Sequence, residues 1–205
     1  MSLPSLTLVK VGGSLLDWPE LPARLTRFLD DRRASHPDVR HVLLCGGGIF
    51  VDCVRRLDRI HRLGDMMAHR LAIQAMDLAS TVLLCMVPRA LGVDRIESLE
   101  EEWSDDDIPL LVPSCVIDEL GDRYGNPLPP SWDVTSDTIA AWIAGQLKAT
   151  SLVLLKSASL PPHPTRELAA QLKLVDPFFP LISSALARVE YLNLRDPSAT
   201  AEDLP

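Results

Sequence analysis

Three short segments of the sequence carry lysines, glycines and hydroxyls in an arrangement that could bind phosphate. In the first, the apolar run from Leu6 to Val11 contains Lys10 and leads into Gly12, Gly13 and Ser14. Glycines let the backbone turn sharply and let an anion approach its N–H groups, while a lysine is a mobile point charge suited to phosphate oxygens. Taken alone, the segment also fits an ordinary strand-to-turn junction with a surface lysine.

The second segment repeats this design with three consecutive glycines. The apolar stretch from His41 to Cys45 runs into Gly46, Gly47 and Gly48, and the pattern then becomes helical. Free N–H groups and the helix dipole favour a negatively charged ligand at such a strand-to-helix junction. We therefore expect the triplet to form the floor of an acceptor site, so that a methyl group on Gly47 would obstruct the ligand with little effect on stability.

The third segment pairs an acidic helix start with another lysine-bearing strand. Thr135 or Ser136 is a good N-cap, which places Asp137 in the first turn of the following helix, where the dipole favours a carboxylate. The apolar strand from Ser151 to Leu155 then delivers Lys156 at its carboxyl end.

Two charged features allow more than one interpretation. Arg55 lies on the helix after the glycine triplet, and it belongs either to a solvated face paired with Asp52 or to the phosphate site beside the glycines. The acidic run from Glu97 to Asp107 lacks the spacing of a metal-binding loop and predicts a solvated helix end and loop. No metal ligands are predicted.

The elements that must position these residues alternate between buried strands and helices. This alternation predicts an α/β fold, a three-layer αβα sandwich with a mostly parallel central sheet. Because such sheets bind ligands at the carboxyl ends of their strands, Lys10, the two glycine clusters and Lys156 should meet at one edge. That edge suits a polyphosphate chain with an acceptor opposite it. A surface loop is predicted over residues 120–130 and a frayed acidic tail over residues 198–205.

Composition excludes several classes of protein. The chain has 205 residues, 47% of them apolar, and a net charge of −8, which disfavours a nucleic-acid partner. No apolar run approaches the roughly 20 residues of a membrane helix, and no secretory pattern begins the sequence. The four cysteines form no C-x-x-C pair. These features predict a cytoplasmic protein with reduced thiols.

Together the three segments resemble the amino acid kinase superfamily. Its motifs are matched, in order, by Val9-Lys-Val-Gly-Gly-Ser14, by Cys45-Gly-Gly-Gly48, and by Val134-Thr-Ser-Asp-Thr-Ile-Ala-Ala141 with Leu152-Val-Leu-Leu-Lys156. The resemblance implies the carbamate kinase-like fold, Mg-ATP as donor and a homodimer or higher homo-oligomer. It also implies that the first segment holds the transferred phosphate, the second holds the acceptor, and Asp137 orients the phosphate-binding lysines.

Within this superfamily the sequence is most similar to a short branch. Gly13-Ser-Leu-Leu-Asp-Trp-Pro19 and Trp132-Asp-Val-Thr-Ser-Asp137 look like the branch that includes the aminomethylfuran-methyl phosphate kinase of methanofuran biosynthesis. Larger members carry a C-terminal G-G-M-x-x-K stretch, which nothing after Lys156 matches. The chain is therefore expected to be one domain over residues 1–205, with an acceptor part over about 1–130 and an abbreviated nucleotide part over about 131–197.

The predicted function is an ATP-dependent kinase for a small phosphorylated metabolite, with ATP and Mg²⁺ as cosubstrate and metal. Lys10, Asp137 and Lys156 are the predicted catalytic residues. Gly12, Gly13 and Ser14 are expected to bind phosphate, and Gly46, Gly47, Gly48 and Arg55 the acceptor. Two alternatives remain open: a kinase for an amino-acid carboxylate, and a non-catalytic nucleotide- or anion-binding protein on the same fold.

Overall fold

The computed structural model describes residues 5–100, 104, 106–125 and 128–205. The strands are β1 (Leu6–Val11), β2 (Arg40–Cys45), β3 (Ala90–Val93), β4 (Ile108–Leu111), β5 (Ser151–Lys156), β6 (Val189–Asn193) and β7 (Glu202–Asp203). The helices are α1 (Leu21–Ser35), α2 (Gly48–His61), α3 (Asp65–Met86), α4 (Pro113–Tyr124), α5 (Ser136–Gln146), α6 (Arg166–Gln171) and α7 (Phe179–Ser183). Two 3₁₀ turns cover Gly13–Leu15 and Ile96–Glu100.

These strands form one sheet in the order β3-β4-β2-β1-β5-β6-β7. All neighbouring pairs are parallel except β6 and β7, which are antiparallel. The three segments predicted to bind phosphate include the carboxyl ends of the central strands β2, β1 and β5, which are direct neighbours in the sheet. The predicted mostly parallel α/β fold is confirmed.

Side-chain alternation along the central strands builds two separate cores. On one face, Leu8 and Leu154 pack in a core with Ile139 of α5. On the other face, Val9 and Val153 pack in a core with residues of α1. Successive residues of a strand point to opposite faces, so Lys10 and Lys156 share the face of Leu8 and Leu154. The sequence periodicity thus directs both lysines toward the layer that contains α5.

The structure corrects two predicted loops. Helix α4 continues to Tyr124, so residues 120–124 of the predicted loop are helical. The helix extends this far because Val116, Ile117 and Leu120 bury an apolar stripe. The tail does not fray, since β7 pairs with β6 and Leu204 is buried. Residues 101–103 and 105 of the acidic run, and 126–127 of the predicted loop, lie outside the described residues.

The structure contains no helix, among the residues it describes, with the length and apolar character needed to cross a membrane.

Candidate active site

Three charged side chains meet beneath the carboxyl edge of the sheet. The Nζ atom of Lys10 lies 2.7 Å from Oδ1 of Asp137, and the Nζ atom of Lys156 lies 2.6 Å from Oδ2 of the same carboxylate. Lys10 and Asp137 are only 3% and 5% exposed, and the Lys156 side chain is 12% exposed. The structure thus brings the three predicted catalytic residues together as one buried Lys10–Asp137–Lys156 triad.

The triad combines one acidic side chain with two basic side chains. Burial by itself raises the pKa of Asp137, but the adjacent charges of Lys10 and Lys156 outweigh burial and lower this pKa to about 2. Burial lowers the pKa of Lys156 to about 8, against the opposing effect of the Asp137 carboxylate. A buried cluster with one uncompensated positive charge is suited to an anionic ligand.

The start of α5, which positions Asp137, is capped from a distant part of the chain. Thr135 is the N-cap residue, as predicted, but its hydroxyl makes no cap bond to the helix. The carboxylate of buried Asp176 accepts hydrogen bonds from the N–H of Thr138 at 3.0 Å and from the hydroxyl of Thr135 at 2.9 Å. It also accepts from the N–H of Thr135 at 3.2 Å and from the hydroxyl of Thr138. Asp176 therefore fixes the first turn that carries Asp137.

Replacing Asp176 with asparagine should destabilise the fold. The amide offers one acceptor oxygen where the carboxylate offers two, and its NH₂ group would face the N–H and hydroxyl donors of Thr135 and Thr138. We expect the free energy of unfolding to fall by about 2 kcal/mol. Chemical denaturation measures this, with Asp118→Asn on an exposed position of α4 as the control. Equal stability of the two variants would contradict this role for Asp176.

The two glycine loops cross in direct backbone contact. A Cβ atom on Gly13 would lie 2.1 Å from the nitrogen of Gly48, and one on Gly48 would lie 2.4 Å from the carbonyl oxygen of Gly13. Gly48 also has a φ of +52°, a left-handed conformation that glycine adopts without strain. Only glycines allow the two loops to approach this closely.

A methyl group at this crossing should therefore be destabilising. We expect Gly13→Ala to lower the free energy of unfolding by about 2 kcal/mol or more, since backbone lies on the opposing side and cannot move cheaply. The control is Gly145→Ala in α5, where a Cβ atom would meet only a Leu186 methyl at 3.9 Å. Because alanine favours a helix over glycine, this control should be neutral or stabilising by up to about 1 kcal/mol. Thermal or chemical unfolding curves compare the two, and similar losses in both would refute the crossing argument.

Two of the predicted N–H donors are already engaged within the sheet. The N–H of Gly12 donates to the carbonyl of Leu155 at 2.8 Å, and the N–H of Gly46 donates to the carbonyl of Val11 at 2.9 Å. These two N–H groups are therefore not free for a phosphate, contrary to the expectation. Both glycines serve close packing instead: a Cβ atom on Gly12 would meet the Leu155 oxygen at 2.7 Å.

Gly46 packs against the triad itself. A Cβ atom there would lie 3.3 Å from Cε of Lys10 and 2.8 Å from Oγ of Ser136. The absence of a side chain at Gly46 allows Lys10 and the start of α5 to come together. At the start of α2, the N–H groups of Phe50 and Val51 donate to the carbonyl of Gly47 at 3.2 and 3.4 Å. Helix geometry leaves the N–H groups of Gly48 and Ile49 without a partner in the helix.

The expectation for Gly47 requires a correction. A methyl group at Gly47 would meet Val51 Cγ2 at 2.0 Å and Met76 Cγ at 3.3 Å. It would thus press on side chains of α2 and α3 that also line the cavity described below. Substitution at Gly47 is expected to disturb helix packing and stability, in contrast to a purely local obstruction of a ligand.

A cavity of about 450 Å³ adjoins the triad through Ser136, which precedes Asp137, but Lys10, Asp137 and Lys156 are not among the residues that line it. Its walls come from both glycine loops, α2, α3 and the segment before α5. The residues that line it are Gly13, Ser14, Asp17, Gly47, Gly48, Ile49, Val51, Asp52, Arg55, His69, Ala72, Ile73, Met76, Ser131, Trp132, Val134, Thr135, Ser136, Ile139 and Lys173. Five of the predicted binding residues therefore line the cavity: Gly13, Ser14, Gly47, Gly48 and Arg55.

Arg55 pairs with Asp52, as one of the two interpretations predicted, and its role toward a phosphate stays a prediction. Its guanidinium pairs with Asp52 at 3.0 Å and stacks over the Trp132 ring at 4.6 Å from the centroid, while the side chain still lines the cavity. The indole N–H of Trp132 donates to Asp58 at 2.9 Å. These contacts join α2 to the loop that precedes α5.

Sequence reasoning missed Asp176, Lys173 and Trp132 as parts of this region. The bond that Asp176 makes to Thr138 spans 38 residues, so no local pattern could indicate it. The hydroxyl oxygens of Ser14 and Ser157 lie 2.9 Å apart, which links the loops after β1 and β5. Among the described residues no group of three or more His, Cys, Asp or Glu side chains is arranged to hold a metal ion.

Comparison with known proteins places this site in a family context. The amino acid kinase family model matches residues 5–159. The [5-(aminomethyl)furan-3-yl]methyl phosphate kinase of Methanocaldococcus jannaschii is 27% identical over 150 residues, which make up 72% of this chain. The match spans 63% of that relative's length, which is less than two thirds.

Solved structures of kinases share the fold at low sequence identity. Uridylate kinase from Archaeoglobus fulgidus superposes with a TM-score of 0.61 and 14% identity, over 90% of this chain and 89% of that one. UMP kinase from Ureaplasma parvum gives 0.60 and 14%, over 96% and 92%. Aspartate kinase from Synechocystis gives 0.61 and 14%, over 98% of this chain and 40% of that one. The family match covers more than half of the sequence, and the chain therefore belongs to the amino acid kinase family.

Proposed function

We propose that this protein is an ATP-dependent kinase that transfers the γ-phosphoryl group to a small phosphorylated metabolite. The observation that carries the proposal is the buried Lys10–Asp137–Lys156 triad beside a cavity of about 450 Å³ at the carboxyl edge of the sheet. Phosphoryl transfer depends mainly on positioning and on neutralising the charge of the moving group. The triad supplies positive charge that is already positioned.

Each member of the triad has a distinct role in this proposal. Lys10 and Lys156 neutralise charge on the transferring phosphoryl group from the neighbouring strands β1 and β5. Asp137 orients both ammonium groups, and it takes no proton because its lowered pKa keeps it ionised. An acceptor that is already a phosphate is ionised at neutral pH, so no general base is required.

The cavity is the proposed acceptor site. Gly13, Ser14, Gly47 and Gly48 form its phosphate-facing end, and Arg55 lies in its wall. An aminomethylfuran-methyl phosphate is the first acceptor to test, because the Methanocaldococcus relative is named for that substrate. Residues of about 1–130 would then form the acceptor part and residues of about 131–197 the abbreviated nucleotide part.

Magnesium would arrive with the nucleotide. Both oxygens of the Asp137 carboxylate lie within 2.7 Å of a lysine nitrogen, which leaves this carboxylate little capacity for a cation. The donor set of the triad thus suits phosphate oxygens, and Mg²⁺ would be held by the ATP phosphates and water. When bound, the ion would neutralise charge on the donor.

A homo-oligomer is part of the proposal. No residue of α2 is fully buried, and Ile49, Leu57 and Ile60 of that helix are exposed. A second copy that covers this face would remove apolar surface from water. Sedimentation analysis of the purified chain tests the assembly.

The pKa of Lys156 predicts an alkaline limit to ligand binding. As the pH rises through about 8, the Lys156 ammonium of the free protein loses its proton and the site loses positive charge. The rate constant kcat/KM for Mg-ATP, which reports groups of the free enzyme, should therefore fall above this pH.

Protein stability should respond in the opposite direction. The lysine pKa is lowered in the folded state, from 10.5 to about 8, so the folded protein binds fewer protons between these values. Stability should rise with pH across that window. Both trends should vanish in Lys156→Met, measured side by side with the wild type. An unchanged alkaline limit in that variant would assign the titration to another group.

Turnover distinguishes the proposed kinase from its alternatives. The protein is incubated with Mg-ATP and a panel of furan-methyl phosphates, nucleoside monophosphates, aspartate and glutamate, and ADP is followed by a coupled assay. We expect ADP formation that depends on a phosphorylated acceptor. ADP formation with aspartate or glutamate alone would instead identify a carboxylate kinase.

A second candidate is a non-catalytic nucleotide- or anion-binding protein. It is favoured by the close engagement of both lysines with Asp137, and by the absence of a G-G-M-x-x-K stretch after Lys156. Saturable binding of Mg-ATP without turnover on any member of the panel would select this candidate.

A further inference from the structure

The ionised side chains that line the cavity are paired, with Lys173 as the exception. Arg55 pairs with Asp52 at 3.0 Å, and Asp17 lies 3.3 Å from the guanidinium of Arg195. Lys173 lines the same cavity, yet it has no carboxylate within 4 Å among the residues that the structure describes. The cavity therefore has an uncompensated positive charge in its wall.

The backbone at Lys173 gives no structural reason for a lysine. Lys173 follows α6 with a φ of +58°, and its N–H donates to the carbonyl of Ala170 at 3.0 Å. The N–H of Leu174 donates to the carbonyl of Ala169 at 2.8 Å. This helix-ending geometry favours glycine or asparagine, so a lysine at this position has a less favourable backbone conformation.

The segment that carries Lys173 is anchored to the active-site helix. Three residues later, the buried Asp176 caps the first turn of α5. The N–H of Phe178 donates to the carbonyl of Asp133 at 3.2 Å, which ties the segment to the loop before α5. Lys173 is thus presented to the cavity from a fixed base.

We propose that Lys173 binds the anionic group of the acceptor, and that the acceptor site accordingly selects small phosphomonoesters over uncharged molecules. This inference rests on the proposed function, because it assigns the cavity to the acceptor. Arg55 is already neutralised by Asp52, so Lys173 provides the unshared charge for a doubly ionised phosphate. A lysine at such a position acts as a point charge on phosphate oxygens.

The chain contains a closely matched control lysine. Lys148 follows α5 with a φ of +52°, and its N–H donates to the carbonyl of Gly145 at 3.1 Å. It is exposed like Lys173, but it lies before β5, at the amino edge of the sheet, and does not line the cavity. Replacing either lysine with glutamine removes the same charge from the same backbone conformation.

Inorganic phosphate is the probe for the first test. The full chain, labelled with ¹⁵N, is titrated with phosphate at constant ionic strength, and the amide signals of Gly47, Gly48 and Ser136 are followed. We expect saturable shifts in the wild type, about tenfold weaker binding in Lys173→Gln, and binding within twofold of wild type in Lys148→Gln. Tenfold corresponds to about 1.4 kcal/mol. Equal effects of the two substitutions, or no phosphate binding by the wild type, would overturn the assignment.

Kinetics then separate this assignment from the proposed kinase function. With an acceptor that supports ADP formation, Lys173→Gln should raise the KM for the acceptor and leave the KM for ATP unchanged. A raised KM for ATP alone would show that Lys173 acts on ATP and not on the acceptor, and this would overturn the proposal. Lys173-dependent phosphate binding in a protein that transfers no phosphoryl group would instead refute the kinase and leave the role of Lys173 as an anion ligand in place.

Discussion

Asp137→Asn is expected to reduce turnover strongly and to lower stability at the same time. The substitution leaves the ammonium groups of Lys10 and Lys156 buried without a counter-charge, where each has lost a contact of 2.7 Å or less. Removal of one partner from a buried ion pair typically costs about 3–5 kcal/mol. Loss of one preorganised electrostatic partner should also reduce kcat by about 10²–10³-fold. Denaturation curves and steady-state kinetics measure the two effects.

A control and a double variant sharpen this experiment. Asp133→Asn alters an exposed carboxylate in the loop before α5 and should change neither quantity. Addition of Lys156→Met to Asp137→Asn removes one of the unpaired charges, so the double variant should be more stable than Asp137→Asn alone. Lys156→Met should raise stability by more in the Asp137→Asn background than in the wild type. An equal effect in both backgrounds would contradict the triad, because independent sites add whereas coupled sites do not.

Lys156→Met is expected to separate activity from stability. The lowered pKa of Lys156 means that its charged form is disfavoured in the folded state, so removal of the charge should leave stability unchanged or improve it. Turnover should nevertheless fall by about 10²–10³-fold, since one side of the moving phosphoryl group loses its positive charge. Melting temperature and kcat are measured on the same preparation.

The matched control for this variant is Lys148→Met, which removes an exposed lysine at the opposite edge of the sheet. It should retain wild-type kcat. A Lys156→Met protein with wild-type kcat and KM for ATP would end the proposed role of Lys156.

Strand periodicity accounts for the part of the site that the sequence predicted. Alternation along β1 and β5 places Lys10 and Lys156 on one face, and the carboxyl edge of a parallel sheet brings their ends together. The place of Asp137 in the first turn of a helix followed from the N-terminal preference of carboxylates, whereas its pairing with the lysines was implied by the family resemblance. These are local rules, and each depends only on residues close in sequence.

The features that could not be predicted depend on contacts between distant segments. Asp176 caps α5 across 38 residues, and Lys173 enters the cavity because that same segment is bound to α5. The use of the Gly12 and Gly46 N–H groups was not predictable either, since their acceptors belong to neighbouring strands. A glycine motif therefore indicates close backbone approach, without indicating whether a ligand or another loop is the partner.

Pairing with the edge of the sheet explains why the C-terminal tail, which was predicted to be frayed, forms a strand in the structure. The two-residue strand β7 is too short and too acidic to be recognised as a strand. It nevertheless pairs with Glu190 and Tyr191 of β6, and Leu204 becomes buried. Tertiary pairing with the edge of the sheet overrides the local preference for an extended, solvated tail.

Phosphorus NMR is the most direct test of whether the protein transfers a phosphoryl group from ATP to an acceptor, because it separates this transfer from ATP hydrolysis. The wild-type protein and Lys156→Met are each incubated with Mg-ATP and the phosphorylated acceptor that yields most ADP. We expect new diphosphate signals of the acceptor to appear as the γ-phosphate signal of ATP declines, in the wild type and not in the variant. Release of inorganic phosphate at the same rate with and without acceptor, or equal product formation by both proteins, would contradict it.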